Sequence, residues 1–202
     1  MNLYEYEQEL YDNGCNFIAG VDEVGRGPLI GSVVSACVIL PKGFAPEGLN
    51  DSKKLSEKQR NKFYKIIEDN AIAIGIGVVD ASEIDRINIY QASKKSMLLA
   101  ISDCKHKIDH VLIDAMKLDL DIPSTSIIKG DAKSISIAAA SVIAKVTRDA
   151  MMYELDKKYP MYGYGNHKGY PTKKHIEAIH KYGLIDGYRK TYKPVSDYIN
   201  SL

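Results

Sequence analysis

"GVDEVGRGPLIG", residues 20–31, is the stretch on which the reading of this chain turns. An apolar approach (Phe17, Ile18, Ala19, Val21) leads into it and a second apolar run, SVVSACVIL at 32–40, leaves it, so two strand-type segments meet across a glycine-rich link as a hairpin-like pair. Two carboxylates, Asp22 and Glu23, stand at the end of the first segment. Consecutive strand residues face opposite sides. The two acids therefore share a site only if the backbone leaves strand geometry there, which Gly25 and Gly27 permit. Taken alone, the glycines also suit an ordinary hairpin turn.

Working outward, residues 2–13 read as a helix closed by Gly14 and 16–22 as the first strand. Ser56 with Gln59 forms a capping box that opens a helix reaching about Asp69. Residues 71–79 (AIAIGIGVV) read as a third strand, and 88–104 carries apolar residues at helical spacing. "HVLID" (110–114) is a short buried strand ending on Asp114, and "TSIIKGD" (125–131) is another ending close to Asp131. A long helix follows from about Ser134 to Lys158, stopped at Pro160, then the loop 161–171, then a helix over 172–183 with Gly183 just past its end. Hairpin-linked strands first and helix-linked strands later give an α/β chain with a mixed sheet. At 202 residues one domain is expected, with a core over about 1–160 and a C-terminal loop and helical segment over about 161–202.

Composition excludes several classes. Lys+Arg 27 against Asp+Glu 26 leaves a net charge near +1, so any nucleic-acid surface must come from local segregation of charge. Cys15, Cys37 and Cys104 are far apart and lack CxxC spacing, which argues against a disulfide framework or a zinc site and for a reducing, cytoplasmic setting. The acidic N-terminus has no basic-then-apolar targeting pattern, and the run 135–146 is interrupted and too short to span a bilayer, so no membrane association is expected.

The acids carry the chemistry. Asp22, Glu23, Asp114 and Asp131 fall at or just beyond the ends of strands, where functional groups of an open α/β sheet converge. Gathered together without His or Cys, they would repel one another unless cations sat among them, and oxygen-only ligands suit Mg²⁺ or Mn²⁺. Asp131 also fits a simple cap ahead of its helix.

Six blocks, "AGVDEVGRGPLIGSVV", "GLNDSKKLSEKQR", "EIDRINI", "VLIDA", "IIKGDAKSISIAAASVIAKVTRD" and "YGNHKGYPT", stand in an order and spacing that resembles ribonuclease HII, from about residue 17 to 195. The resemblance implies a ribonuclease H-like mixed five-stranded sheet flanked by helices, with a C-terminal helical segment. It implies an endonuclease on the RNA strand of RNA–DNA hybrids and on ribonucleotides embedded in duplex DNA, cutting 5′ of the ribonucleotide and leaving 5′-phosphate and 3′-hydroxyl ends. Asp22, Glu23, Asp114 and Asp131 resemble the four acids that hold two divalent ions around the scissile phosphate. Gly25, Arg26 and Gly27 resemble the motif that senses the 2′-hydroxyl, the group that separates RNA from DNA. Tyr170 resembles the tyrosine that packs on the sugar beyond the cut. Lys53 and Lys54, just ahead of a capped helix, suit phosphate contacts, though lysine pairs are commonly solvated surface.

Arg148 and Asp149 read as a structural ion pair, His167 as a loop-stabilising residue, and His175 with His180, five apart, as no metal site. Two departures from the family pattern stand out: Ala115 where many members have glycine, and Tyr192-Lys193 where a Phe-Gly pair is common. Both are expected to lie away from the acids and to affect tail conformation only. Against the related ribonuclease HIII group, the motif has Arg26 where lysine is usual and only 21 residues precede Asp22. A monomer is expected. The alternative from another class is a catalytically silent hybrid-binding module on the same fold, against which the presence of all four acids counts. A phosphate-loop nucleotide enzyme is the weaker reading still, because the stretch lacks the GK[ST] ending such loops need.

Overall fold

The computed structural model describes residues 3–202, so the expected helix start at residue 2 falls outside the described residues. Five strands, β1 (Ile18–Val24), β2 (Val33–Ile39), β3 (Ala73–Val79), β4 (His110–Asp114) and β5 (Ser124–Ile127), form one sheet in the order β3-β2-β1-β4-β5. β2 pairs antiparallel with both β1 and β3, whereas β4 pairs parallel with β1 and β5 with β4. This is the mixed sheet expected from short links first and helical crossovers later.

The helices are α1 (Glu5–Asp12), α2 (Glu57–Asn70), α3 (Ala81–Ile87), α4 (Ile89–Asp103), α5 (Ile135–Lys158), α6 (Tyr164–His167), α7 (Lys173–Tyr182) and α8 (Lys193–Asn200). α5 covers one face of the sheet through Ala138, Ala139, Ala140 and Val142, packed with Ala36 and Val38. α4 covers the other through Met97 and Ala100, packed with Val21, Cys37 and Ile113. Backbone contact sets how close these helices come. A Cβ on Gly20 would collide with the Ser136 backbone in α5, and one on Gly77 with Ser96 in α4. Both faces of β2 are therefore covered, and all seven of its residues are buried.

The period of two along the strands decides where the acids go. Ala19 and Val21 belong to the α4-side cluster, so Gly20, Asp22 and Val24 lie on the α5 side. On β4, Val111 and Ile113 face α4, which puts Asp114 on the same side as Asp22. Val21 is opposite Ile113 in the parallel register, so the two aspartates leave adjacent strand ends together.

Several boundaries differ from expectation. β5 stops at Ile127 and does not reach Asp131. Lys129 takes a left-handed φ of 58°, and a 3₁₀ turn over Gly130–Ala132 brings the chain back, with the Gly130 amide donating to Asp114 Oδ1 at 2.6 Å. α3, capped by Asp80, and α8, with proline in its first turn, were not expected as separate helices. The capping box at Ser56 and Gln59 is present as read. No helix is long and apolar enough to cross a membrane among the described residues.

Candidate active site

One carboxylate oxygen each from Asp22, Asp114 and Asp131 lies within 4.8 Å of the others. β1 supplies the first, β4 the second and the 3₁₀ turn ahead of α5 the third. Glu23 stands beside this group without joining it. The backbone does not leave strand geometry at 22–23, contrary to what a shared site was expected to need; both residues remain in ladder register with Ala36 and Ser35. Glu23 accordingly starts from the opposite face and turns to Arg26, whose Nη1 is 3.6 Å from Oε1, while its Oε2 is buried with no hydrogen-bond partner among the described residues.

Electrostatics at this cluster are unbalanced. Burial above all, then the charges of Glu23 and Asp114, push Asp22 well above the usual carboxylate range, although a hydrogen bond from Ser141 works the other way. Burial also pushes Glu23 up to about 7, with Arg26 opposing and Asp114 reinforcing. Asp131 is raised by burial and by Asp114 and Asp51, against Lys53. Like charges held this close favour protonation unless a cation compensates. The donors are all oxygen, one carboxylate oxygen is orphaned, and three others converge, so the residues fit a hard divalent cation.

Beside the acids, an open cleft of about 460 Å³ is lined by Asp51, Lys53, Lys54, Ala115, Lys129 and Asp131 among others. Lys53 Nζ sits 3.6 Å from Asp131. Burial works against its charge, but Asp131, Asp22, Asp51 and Asp114 more than offset this and hold the ammonium charged. Ala115 directly follows Asp114, takes a left-handed φ of 50° and lines this cleft, so the expectation that it lies away from the acids is wrong. Its φ explains why glycine suits the position. Asp51, at the same cleft, was missed: its signature "NDSKK" reads only as an Asx-turn, which it also forms by accepting from the Lys53 amide at 2.9 Å.

Gly25, Arg26 and Gly27 leave β1 as an irregular loop that two buried arginines hold from below. Arg148, 1 % exposed, donates to the carbonyls of Ser32, Ile30 and Lys168. The expected pairing with Asp149 does not occur, since Asp149 accepts from Lys145 at 2.7 Å and Arg148 points the other way into the loop. Gly25, at φ 95°, has no room for a Cβ because the Arg148 side chain lies against it. Arg189, fully buried, donates to the carbonyls of Gly25, Arg26 and Gly31. Tyr192 donates to the Arg26 carbonyl at 2.6 Å, so this second departure also bears on the site.

Tyr170 closes the loop from above. A Cβ on Gly27 would meet its Cε1 at 3.3 Å, and the Leu29 amide donates to the Gly169 carbonyl at 2.8 Å. Tyr170 is 40 % exposed, open to contact from a ligand. Its backbone rests on His175, whose Nδ1 lies 2.9 Å from the Tyr170 carbonyl. A carbonyl only accepts, so Nδ1 carries the proton and Nε2 accepts from Tyr188. Burial, with His167 stacked beside it, lowers His175 to about 4, the neutral form this network requires. His167 accordingly stabilises the loop, as read from the sequence.

The pattern of the family described as Ribonuclease HII matches residues 19–195. A ribonuclease HII of Bacillus cytotoxicus is 57 % identical over 201 residues, spanning 100 % of this chain and 78 % of the relative. Among solved structures, the ribonuclease H2 of Pyrococcus horikoshii superposes with a TM-score of 0.78 at 26 % identity, over 92 % of this chain and 98 % of that one. A Bst ribonuclease HIII solved with Mn²⁺ shares the fold, at a TM-score of 0.68 and 16 % identity over 92 % and 70 % of the two chains. The chain belongs to the ribonuclease HII family and is a nuclease of the ribonuclease H type, an endonuclease for RNA–DNA substrates.

Proposed function

We propose that the chain cuts 5′ of ribonucleotides embedded in duplex DNA, as well as within longer RNA–DNA hybrids, using Asp22, Glu23, Asp114 and Asp131 to hold two Mg²⁺ or Mn²⁺ ions. One observation carries this reading: the aspartates converge on Asp22 near the end of β1 from which the Gly25–Gly27 loop departs, with Tyr170 over Gly27. Ions bound among the acids supply acidity to the attacking water and charge neutralisation at the leaving 3′ oxygen. The chain's own residues do the rest. Asp22, Asp114 and Asp131 present converging oxygens, and Glu23 offers an unpartnered one from the side. Lys53, and Lys54 beside it, place positive charge at the cleft for the substrate backbone. Gly25 to Gly27 bring bare backbone to the ribose edge, where the 2′-hydroxyl is the distinguishing group. Tyr170 packs on the sugar beyond the cut. Residues from 161 onward, which contribute Tyr170 and Arg189, serve the same catalytic unit as the core.

The test is a duplex carrying one ribonucleotide, incubated with Mg²⁺, Mn²⁺ or chelator. A single cut 5′ of the ribonucleotide is expected, with a 5′-phosphate and a 3′-hydroxyl, only when metal is present. Comparable cutting of an all-DNA duplex, or cutting in chelator, would rule the reading out.

A further inference from the structure

Arg148 and Arg189 are both buried guanidinium groups whose hydrogen-bond partners among the described residues include no carboxylate. Burying such a charge without an anion is costly unless its donors are satisfied. Arg189 satisfies them on one short loop: Nη2 on Gly25 O at 2.6 Å, Nη1 on Arg26 O at 2.9 Å, and Nη2 and Nε on Gly31 O at 2.8 and 3.0 Å. The segment carrying it is tied at both ends. Its own amide donates to Leu29 O and the Gly31 amide to Gly187 O, while Asp85 of α3 accepts from the Lys190 and Thr191 amides and the Thr191 hydroxyl. Tyr192, on which the guanidinium also rests at 5.1 Å, adds a second donor to Arg26 O.

The consequence for the loop is directional. With the carbonyls of Gly25, Arg26 and Gly31 drawn toward the guanidinium, the peptide planes are fixed, and no acceptor among the described residues takes the amides of Arg26 or Gly27. Two donors are thus left beside Tyr170 and the acids, backed by a buried positive charge that favours an oxygen lone pair in front of them. We propose that Arg189, seconded by Tyr192, is a positioning residue for ribose recognition: by gathering the loop carbonyls it aims the Arg26 and Gly27 amides at the sugar. This rests on the reading that Gly25 to Gly27 detect the 2′-hydroxyl. A lysine at 189 keeps the charge but cannot reach three carbonyls in a fixed plane.

The test measures affinity in the Asp114→Asn background, where cutting is suppressed, for a duplex with one ribonucleotide and for its all-DNA counterpart. The parent is expected to prefer the ribonucleotide. Adding Arg189→Lys should shrink that preference by roughly 5- to 100-fold, the range for misaimed buried hydrogen bonds, while affinity for the all-DNA duplex holds. Tyr192→Phe should move it the same way by a smaller factor, and it decides the matter if the lysine variant melts below the assay temperature. A merely structural Arg189 would weaken both affinities alike; an equal loss, or an unchanged preference in a folded variant, overturns the proposal. A parent without any preference would instead refute the underlying reading of the loop.

Discussion

The acid cleft and the loop beside it bury charge in opposite ways. In the cleft, Asp22, Asp114 and Asp131 face one another, Glu23 Oε2 has no partner among the described residues, and the exposed Lys53 is the cation drawn to Asp131. Under the loop, Arg148 and Arg189 are more deeply buried than any of the acids, yet their donors meet backbone carbonyls. The arginines under the loop are satisfied within the chain; the converging carboxylates of the cleft would be compensated by a cation from outside. Groups poised for a ligand carry their imbalance into the folded state, whereas groups that hold a loop in shape resolve it internally.

Asp114→Asn tests the cleft with the largest effect. If Asp114 holds metal, its replacement should reduce kcat in saturating Mg²⁺ by more than about 100-fold, because a bound ion contributes several kcal/mol. The Gly130 amide can still donate to the retained carbonyl oxygen, so the fold should survive. Near-normal turnover would break the comparison on its acidic side.

Tyr170→Ala tests the loop. Removing an aromatic partner of nucleic acid costs about 1–3 kcal/mol, so kcat/KM for a single embedded ribonucleotide should fall roughly 5- to 150-fold, and less for a long hybrid. If both substrates suffer alike and the melting temperature drops, the ring is only packing on Gly27.

Opposite pH signatures sharpen the contrast. Glu23 is raised to about 7 without metal, so the folded state binds more protons than the unfolded between about 4.5 and 7, and the cleft loses stability as pH rises through that window. His175, lowered to about 4, reverses the sign: the unfolded state takes up the proton first, and stability is lost as pH falls from about 6.5 toward 4. His175→Gln should flatten the acid limb of the melting temperature against pH, whatever it does to the plateau. A slope unchanged by that substitution would show that His175 is not the group that titrates.

The smallest effect belongs to Asp22→Asn in chelator. Relieving buried like-charge repulsion worth about 1 kcal/mol would raise the melting temperature by roughly 2–4 °C. A fall would mean that Asp22 is stabilised by its contact with Ser141 more than it is destabilised by Glu23 and Asp114.

What could be read in the residues follows from which interactions are local. Strand alternation, the Ser56–Gln59 capping box and the position of acids at strand ends are properties of short segments, and each is seen in the fold. Asp131 is expected close to the end of a strand over 125–131; instead the Asp114 carboxylate, drawn from another strand, captures the Gly130 amide and folds the segment into a turn. Adjacency suggests an Arg148–Asp149 pair, but Arg148 reaches carbonyls 116 and 118 positions away in Ser32 and Ile30, and a third at Lys168. Arg189 carried no signal at all in "YRKTYKP", since its role depends on carbonyls more than 150 positions distant. Backbone acceptors are available at every residue, so no sequence pattern marks which ones a buried arginine will choose.

The central claim, that the acid cleft is finished by a cation and the loop is not, is tested most directly by melting the protein across a Mn²⁺ titration, in wild type, Asp114→Asn and Arg189→Lys. Selective binding to the folded state raises the melting temperature with concentration. The account predicts a saturable rise in wild type, a rise of the same size above its own baseline in Arg189→Lys, and little or none in Asp114→Asn. A wild-type melting temperature indifferent to Mn²⁺, or an Asp114→Asn protein that responds as fully as wild type, would contradict it.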